Sequence, residues 1–335
     1  MEQGPSGALS MSGIDSAQPM LATAGARARG SLLRRYEWLR GYLLMSPTIL
    51  LMAALLIVPI VALVLLSFWT QDLYSIDTTF TLDNYSELVE PSKTATYWWG
   101  IPFPLLDPVY AILLVKSIFL SLMATAAVVL TAYPMAYFLA FRVSKHKIFW
   151  LILITIPFWT SYLLRVFAWK IILGYNGVIN SGLISLGIIH KPLEFLLYSP
   201  FAVVITLAHA WAAFAILPIY VSLEKIDRSL LEAATDLGYK PLSRFWHVTL
   251  PLSAPGTIAT TLLVFIPTVG DYVTPSLVGG SGGSMVGNAI QVLFGRANDA
   301  PLGSAVSLVM MLVVTCIVLV FLQAVGYRRM RKWGS

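Results

Sequence analysis

The chain has 335 residues, of which 58% are hydrophobic and only 11% are charged, and its formal net charge is +6. Together with a mean hydropathy of +0.78, this composition excludes a soluble globular domain with a charged surface and predicts an all-α integral membrane protein in a lipid bilayer. The basic residues do not cluster on one face of a soluble domain, so we predict no nucleic-acid partner. The single cysteine, Cys316, excludes a disulfide or a thiolate metal site within one chain.

Residues 1–40 are rich in Gly, Ala, Ser and Arg and lack an apolar core, which predicts a disordered basic cytoplasmic tail. Residues 41–335 then form the transmembrane domain. Crossing about 30 Å of hydrocarbon takes about 20 apolar residues. Six segments meet this requirement and are the predicted spans: 42–68, 112–139, 149–173, 201–223, 253–278 and 303–327.

The basic residues predict the orientation of these spans. With both termini in the cytoplasm, most Lys and Arg residues fall in the N-terminal segment, the second-to-third and fourth-to-fifth connections, and the C-terminal tail. This is the distribution that the positive-inside rule describes. We therefore predict a multi-pass protein with both termini in the cytoplasm.

Two charges within the predicted spans need a physical explanation. Counting about 1.5 Å per residue places Arg165 and Asp271 at a similar depth in spans three and five. Charged groups at such depths are costly, so they pair with each other or line a pathway. Two interpretations stay open: an intramembrane ion pair between Arg165 and Asp271, or direct contact between Asp271 and a solute amine. Proline and glycine residues around Asp271 favour irregular backbone over 267–280, which makes this segment the best candidate for a pathway.

A polar segment, 229–251, interrupts the hydrophobic sequence between the fourth and fifth spans. Ser229 and Glu232 have the spacing of a capping box, Gly238 can end a helix in a left-handed conformation, and Pro241 can begin the next helix. The segment therefore predicts a helix, a tight turn and a second helix. Capping alone would explain these residues without any partner protein.

The same segment resembles the EAA loop of the type I class of ATP-binding-cassette (ABC) importer permeases. The resemblance lies in Glu232-Ala233-Ala234, Gly238, and Val248-Thr249-Leu250-Pro251. It implies a cytoplasmic coupling helix that docks on a separate ATPase. The residues implied in that coupling are Glu232, Ala233, Ala234, Gly238, Leu250 and Pro251.

Two further segments, 156–169 and 270–280, are similar to the spermidine/putrescine (polyamine) branch of these permeases. The resemblance implies half of a translocation pathway for a small cationic solute in a bacterial inner membrane. The implied partners are a homologous second permease, an ABC ATPase dimer and an extracytoplasmic solute-binding protein. Related permeases carry opines, aminophosphonates, iron or oxyanions, so these solutes stay open. The candidate pathway residues are Asp271, Tyr272, Trp159, Tyr162 and Trp169.

The sequence contains no G-x-x-x-x-G-K-[ST] phosphate-binding loop. We therefore predict that this chain is a transport subunit and not an enzyme, that it binds no cofactor, and that ATP and Mg²⁺ bind to the partner ATPase. A secondary transporter would show ATP-independent uptake and, commonly, an internal repeat. A membrane enzyme would need clustered ligands, whereas the four histidines are scattered, and we predict no metal site.

Overall fold

The structure is a computed structural model that describes residues 37–72, 75–89, 97–98, 101–102 and 109–333. Residues 1–36 of the predicted disordered tail lie outside the described residues. The last four residues of that tail, 37–40, belong to a helix. Six helical segments in the described part are long and apolar enough to cross a bilayer, which confirms the predicted number. They are Leu44–Leu66, Val109–Phe141, Tyr162–Ser185, Pro200–Glu224, Pro241–Val269 and Ala300–Gly326.

Helix α1 covers Glu37–Leu66 and contains Pro47 and Pro59. Its side chains from residue 44 onward are mostly exposed although they are almost all apolar. A helix that is apolar on all sides is stable only when lipid or protein surrounds it, so this exposure agrees with a transmembrane helix.

The connection after α1 carries the small amount of β structure in the described residues. Strands β1 (Thr70–Asp72) and β2 (Ser75–Asp77) form one antiparallel hairpin, and the very short strands β3 (Tyr97–Trp98) and β4 (Ile101–Pro102) form another. Helix α2 covers Asp83–Glu87 between them. The predicted all-α class is confirmed for the membrane domain, and these hairpins are small additions to it.

The remaining described elements are helices joined by short connections. They are α3 (Val109–Phe141), α4 (Lys147–Thr155), a 3₁₀ turn (Ile156–Trp159), α5 (Tyr162–Leu173), α6 (Val178–Ser185), a 3₁₀ turn (Glu194–Leu196), α7 (Pro200–Glu224), α8 (Arg228–Asp236), α9 (Pro241–Arg244), a π-helical turn (Phe245–Thr249), α10 (Leu250–Val269), a second π-helical turn (Pro275–Gly279), α11 (Val286–Gly295) and α12 (Ala300–Trp333).

The third predicted span, 149–173, is not one helix. Helix α4 and its 3₁₀ turn end before Thr160, whose backbone is extended, and α5 begins at Tyr162. Pro157 lacks the amide hydrogen that a continuous helix needs, and the Thr160 hydroxyl donates to the Pro157 carbonyl at 2.6 Å. The third candidate span is instead formed by α5 and α6, and the break places Tyr162 at the start of a new helix.

The fifth predicted span, 253–278, is also displaced. The helical segment begins at Pro241, continues through Pro267 and ends at Val269. Residues 270–272 follow without helical structure, and a π-helical turn covers Pro275–Gly279. The predicted irregular backbone around Asp271 is therefore present.

Helices α3, α7 and α10 form the core, in which small side chains pack beside large ones. Ala132 and Ala136 of α3 and Ala215 of α7 are fully buried in one apolar cluster, which includes Val264 of α10. Small residues let helix backbones approach closely, which is how helices associate where lipid removes most of the hydrophobic driving force.

Helices α7 and α10 approach each other closely at Gly256. A Cβ atom at this position would lie 2.4 Å from the Ser222 Cβ and 2.5 Å from the Pro218 carbonyl oxygen. We expect Gly256→Ala to lower the free energy of unfolding by about 1–3 kcal/mol, because the two helices must separate. Thermal unfolding in detergent measures the change. Gly295→Ala is the matched control, since no atom of the described residues lies within 4 Å of a Cβ there. Equal losses of unfolding free energy in both variants would contradict the role of the contact at Gly256.

Candidate functional site

A cavity of about 440 Å³ opens where the C-terminal end of α10 meets the N-terminal end of α5 and the middle of α7. It combines one acidic side chain, one basic side chain and several aromatic rings, and it is open rather than enclosed. The lining residues are Phe158, Thr160, Tyr162, Arg165, Ala210, Trp211, Phe214, Pro267, Gly270, Asp271 and Tyr272.

Asp271 is held at the cavity by neutral donors. Its Oδ1 accepts from the Val273 amide at 2.9 Å, which is the local turn that aspartate favours just after a helix. Its Oδ2 accepts a hydrogen bond from the Tyr162 hydroxyl, which also lies 2.6 Å from Thr274 Oγ1. Within the described residues no basic group forms a salt bridge with Asp271, so the carboxylate keeps its capacity to bind a cation.

Helix α11 supports the backbone of this segment. The Asn288 side-chain amide donates to the Tyr272 carbonyl at 3.1 Å and to Ser276 Oγ at 2.7 Å. Gly287 allows the close approach, since a Cβ there would lie 2.7 Å from the Gly270 carbonyl oxygen. The non-helical backbone beside Asp271 is therefore stabilised from outside the cavity, as irregular backbone within a membrane requires.

Arg165 does not form the predicted ion pair with Asp271. Its Nη1 donates to the Ala210 carbonyl at 2.8 Å, and its buried Nε has no hydrogen-bond partner among the described residues. Its guanidinium carbon lies 5.2 Å from the ring centre of Phe158 and 5.8 Å from that of Tyr162. Tyr162 thus contacts both charged residues, and the hypothesis of a direct pair is corrected.

The other predicted pathway residues divide into two groups. Tyr272 lines the cavity and is 48% exposed. Trp159 is 87% exposed and does not line the cavity, although its neighbours Phe158 and Thr160 do. Trp169 lies in an apolar cluster, with its ring edge-to-face against His209 at 5.4 Å. The structure therefore does not bring Trp159 or Trp169 to this site.

Sequence reasoning missed the contribution of α7. Ala210, Trp211 and Phe214 line the cavity, and their spacing of three and four residues places them on one face of the helix. That spacing could have indicated a shared surface. It could not have indicated that the surface faces Arg165, because the rotation of α7 depends on its packing.

The polar segment between α7 and α10 has the predicted helix–turn–helix form but a different N-terminus. Helix α8 begins at Arg228, and its N-cap is Asp227, whose Oδ1 accepts from the Ser229 amide at 3.0 Å. The predicted capping box of Ser229 and Glu232 is not formed. Among the described residues, the Glu232 side chain has no hydrogen-bond or ion-pair partner.

Gly238 ends α8 as predicted, in the left-handed region with φ +84°. The Tyr239 amide donates to the Ala234 carbonyl and the Gly238 amide to the Thr235 carbonyl, which together form a Schellman motif. Pro241 then begins α9, also as predicted.

The surfaces of α8 and α9 suggest which residues are free to contact another protein. Leu231 and Ala234 are buried, whereas Glu232 and Ala233 are exposed. Leu250 and Pro251 begin α10 directly after the first π-helical turn. A set of large apolar side chains in this segment is exposed, namely Leu230, Leu237, Leu242 and Trp246.

The Asp227 cap makes the start of α8 sensitive to acid. Its hydrogen bonds with Ser229 lower the pKa of this carboxyl below its ordinary value of 3.8. The cap therefore stabilises the start of α8 fully at pH values above 3.8, and this stabilisation is lost as the pH falls through the lower pKa of the folded state. A spin label on α8 is expected to gain mobility on acidification in the wild type and much less in Asp227→Asn, since asparagine caps helices without titrating. Equal acid responses would contradict the role of Asp227.

Within the described residues, no group of three or more His, Cys, Asp or Glu side chains is arranged to hold a metal ion.

Comparisons with known proteins cover most of the chain. Residues 132–332 match the family described as "Binding-protein-dependent transport system inner membrane component". The chain is 38% identical over 259 residues to the spermidine/putrescine transport system permease protein PotB of Escherichia coli (strain K12), covering 77% of this chain and 88% of that protein.

Two crystal structures resemble the fold at 17% identity. One is a bacterial ABC transporter involved in the import of the acidic polysaccharide alginate, with a TM-score of 0.62 over 90% of this chain and 99% of that chain. The other is a bacterial alginate ABC transporter in complex with an alginate pentasaccharide-bound periplasmic protein, with a TM-score of 0.60 over 86% and 94%. At this identity the likeness establishes the fold alone.

Proposed function

This chain belongs to the family of binding-protein-dependent transport system inner membrane components, and we propose that it forms half of the translocation pathway of an ATP-driven importer of polyamines such as putrescine or spermidine. It is a multi-pass inner-membrane transport subunit. The choice of solute rests on the carboxylate of Asp271, which lines an aromatic cavity and forms no salt bridge with a basic group of the described residues.

The chemistry of the cavity suits an ammonium group. A carboxylate offers a charge-assisted hydrogen bond, and aromatic faces attract cations. Asp271 supplies the first, and Tyr272, which also lines the cavity, supplies an aromatic ring. Because the neutral donors to Asp271 use only part of its accepting capacity, a solute amine could bind without displacing them.

Helices α8 and α9 form the proposed coupling element. The exposed Glu232 and Ala233, together with the exposed apolar side chains of Leu237 and Leu242, would contact a cleft of the ATPase. Arg244 links the two helices, since its Nη1 donates to Thr235 Oγ1 at 2.8 Å. A push on α8 would therefore move α9 and, through the π-helical turn, the base of α10.

The proposed assembly contains this chain, a homologous second permease, an ABC ATPase dimer that holds ATP and Mg²⁺, and an extracytoplasmic solute-binding protein. Both termini would lie in the cytoplasm, on the same side as α8. The open cavity supports the second permease, since another subunit could complete its wall.

Uptake by the reconstituted complex tests this function. Proteoliposomes with ATP inside and the loaded binding protein outside are expected to accumulate labelled putrescine and spermidine. Vesicles with ADP, or with a hydrolysis-deficient ATPase, are the controls and are expected to accumulate neither. Uptake independent of ATP would indicate a secondary transporter. Uptake of an opine, an aminophosphonate, iron or an oxyanion in place of both polyamines would overturn the choice of solute.

A further inference from the structure

The cavity contains two opposite charges that do not neutralise each other. Asp271 and Arg165 both line it, yet the Tyr162 hydroxyl binds the carboxylate and Arg165 binds elsewhere. An ammonium group that enters the cavity is attracted at one position and repelled at another. The site therefore distinguishes solutes by the number and spacing of their positive charges.

The positive charge of Arg165 is uncompensated within the described residues. Its hydrogen bond goes to the neutral Ala210 carbonyl. In the part of the chain that the structure describes, its buried Nε has no partner and no carboxylate lies within salt-bridge distance. At the wall of a protein cavity the effective dielectric constant is lower than in bulk water, so a second cation nearby is repelled more strongly than it would be in water. Repulsion of this kind is a common source of specificity in binding sites.

The guanidinium also covers aromatic surface that a solute cation would use. Its carbon lies over Phe158 at 5.2 Å and over Tyr162 at 5.8 Å, within the range of cation–π attraction. These two rings are therefore occupied by the protein's own cation. A second ammonium group must bind away from Arg165.

We propose that Arg165 is a specificity-determining residue that limits this half of the pathway to one ammonium group, the one held at Asp271. The inference rests on the proposed polyamine function and specifies the charge pattern of its substrate. The remaining amines of the solute then extend away from the Arg165 side of the cavity.

The test measures how the charge at position 165 changes the preference between two polyamines. Complexes with Arg165→Lys, Arg165→Gln and Arg165→Glu are reconstituted with saturating loaded binding protein, and initial uptake rates of the triamine spermidine and the diamine putrescine are compared in the same vesicles. The spermidine-to-putrescine ratio is expected to stay near the wild-type value with lysine, to rise severalfold with glutamine, and to rise on the order of tenfold with glutamate.

The ratio is used because reduced assembly lowers both rates equally. Lys170→Gln is the matched control, since Lys170 is a basic residue of the same helix that does not line the cavity, and its ratio is expected to remain unchanged. Arg165→Met replaces the glutamine variant if that variant fails to assemble.

An unchanged ratio in the glutamine and glutamate variants of a complex that imports both polyamines would overturn this inference alone. An equal rise in Lys170→Gln would overturn it as well, because the effect would then not belong to the cavity. A wild-type complex that imports neither polyamine would overturn the proposed function and this inference with it.

Discussion

Asp271→Asn is expected to reduce ATP-dependent uptake of both polyamines about a hundredfold, which corresponds to about 2.8 kcal/mol. Asparagine has nearly the same shape and can still accept from the Val273 amide. It cannot hold a solute ammonium by charge, and its amide nitrogen cannot accept from the Tyr162 hydroxyl. The loss is therefore electrostatic and should leave the backbone at the end of α10 in place.

Initial uptake rates in proteoliposomes measure this effect, with co-purification of the other subunits as the test of assembly. Tyr162→Phe is the informative companion variant, because it removes one hydrogen bond to Asp271 and keeps the charge. We expect it to lose about tenfold, clearly less than Asp271→Asn. Uptake by Asp271→Asn at the wild-type rate would remove Asp271 from the pathway and leave the family assignment intact.

Gly238→Val is expected to uncouple ATP hydrolysis from transport. Gly238 has φ +84°, a conformation that costs a residue with a side chain about 1–2 kcal/mol, and a β-branched residue more. The Schellman motif should open, so that α9 leaves α8 at a different angle. Because no atom of the described residues lies within 4 Å of a Cβ at this position, the Cβ atom itself causes no steric overlap.

The measurement compares ATPase activity with and without loaded binding protein, alongside uptake. In the Gly238→Val complex, the binding protein should no longer stimulate ATPase activity, and the uptake rate should fall at least tenfold. The Gly238→Asn complex should keep most of both activities, since asparagine tolerates the left-handed conformation. Equal losses in the two variants would show that the conformation at position 238 is not what matters for coupling.

Local chemistry made the end of α8 predictable, and tertiary packing explains why its start was not. Gly238 and Pro241 have backbone preferences strong enough to define the turn from sequence alone. At the other end, Asp227 and Ser229 can both cap a helix. Local chemistry therefore does not choose between them, and the folded protein selects Asp227, whose Oδ1 accepts from the Ser229 amide.

The Arg165–Asp271 hypothesis failed for a similar reason. Sequence position gives the depth of a residue along a helix, but the direction of its side chain depends on how the helix is rotated. Tyr162 lies one turn before Arg165 on nearly the same face of α5, and it is the residue that reaches Asp271. The break after Pro157, which makes Tyr162 the first residue of α5, was also not predicted.

The tight contact at Gly256 has a mechanical consequence for α10. The helical segment Pro241–Val269 runs from the coupling residues to the cavity, and Gly256 lies near its middle, as many residues from Pro241 as from Asp271. If this segment tilts as one body about its crossing with α7, the contact at Gly256 is a fulcrum. A displacement at Pro241 would then move the end near Asp271 in the opposite direction.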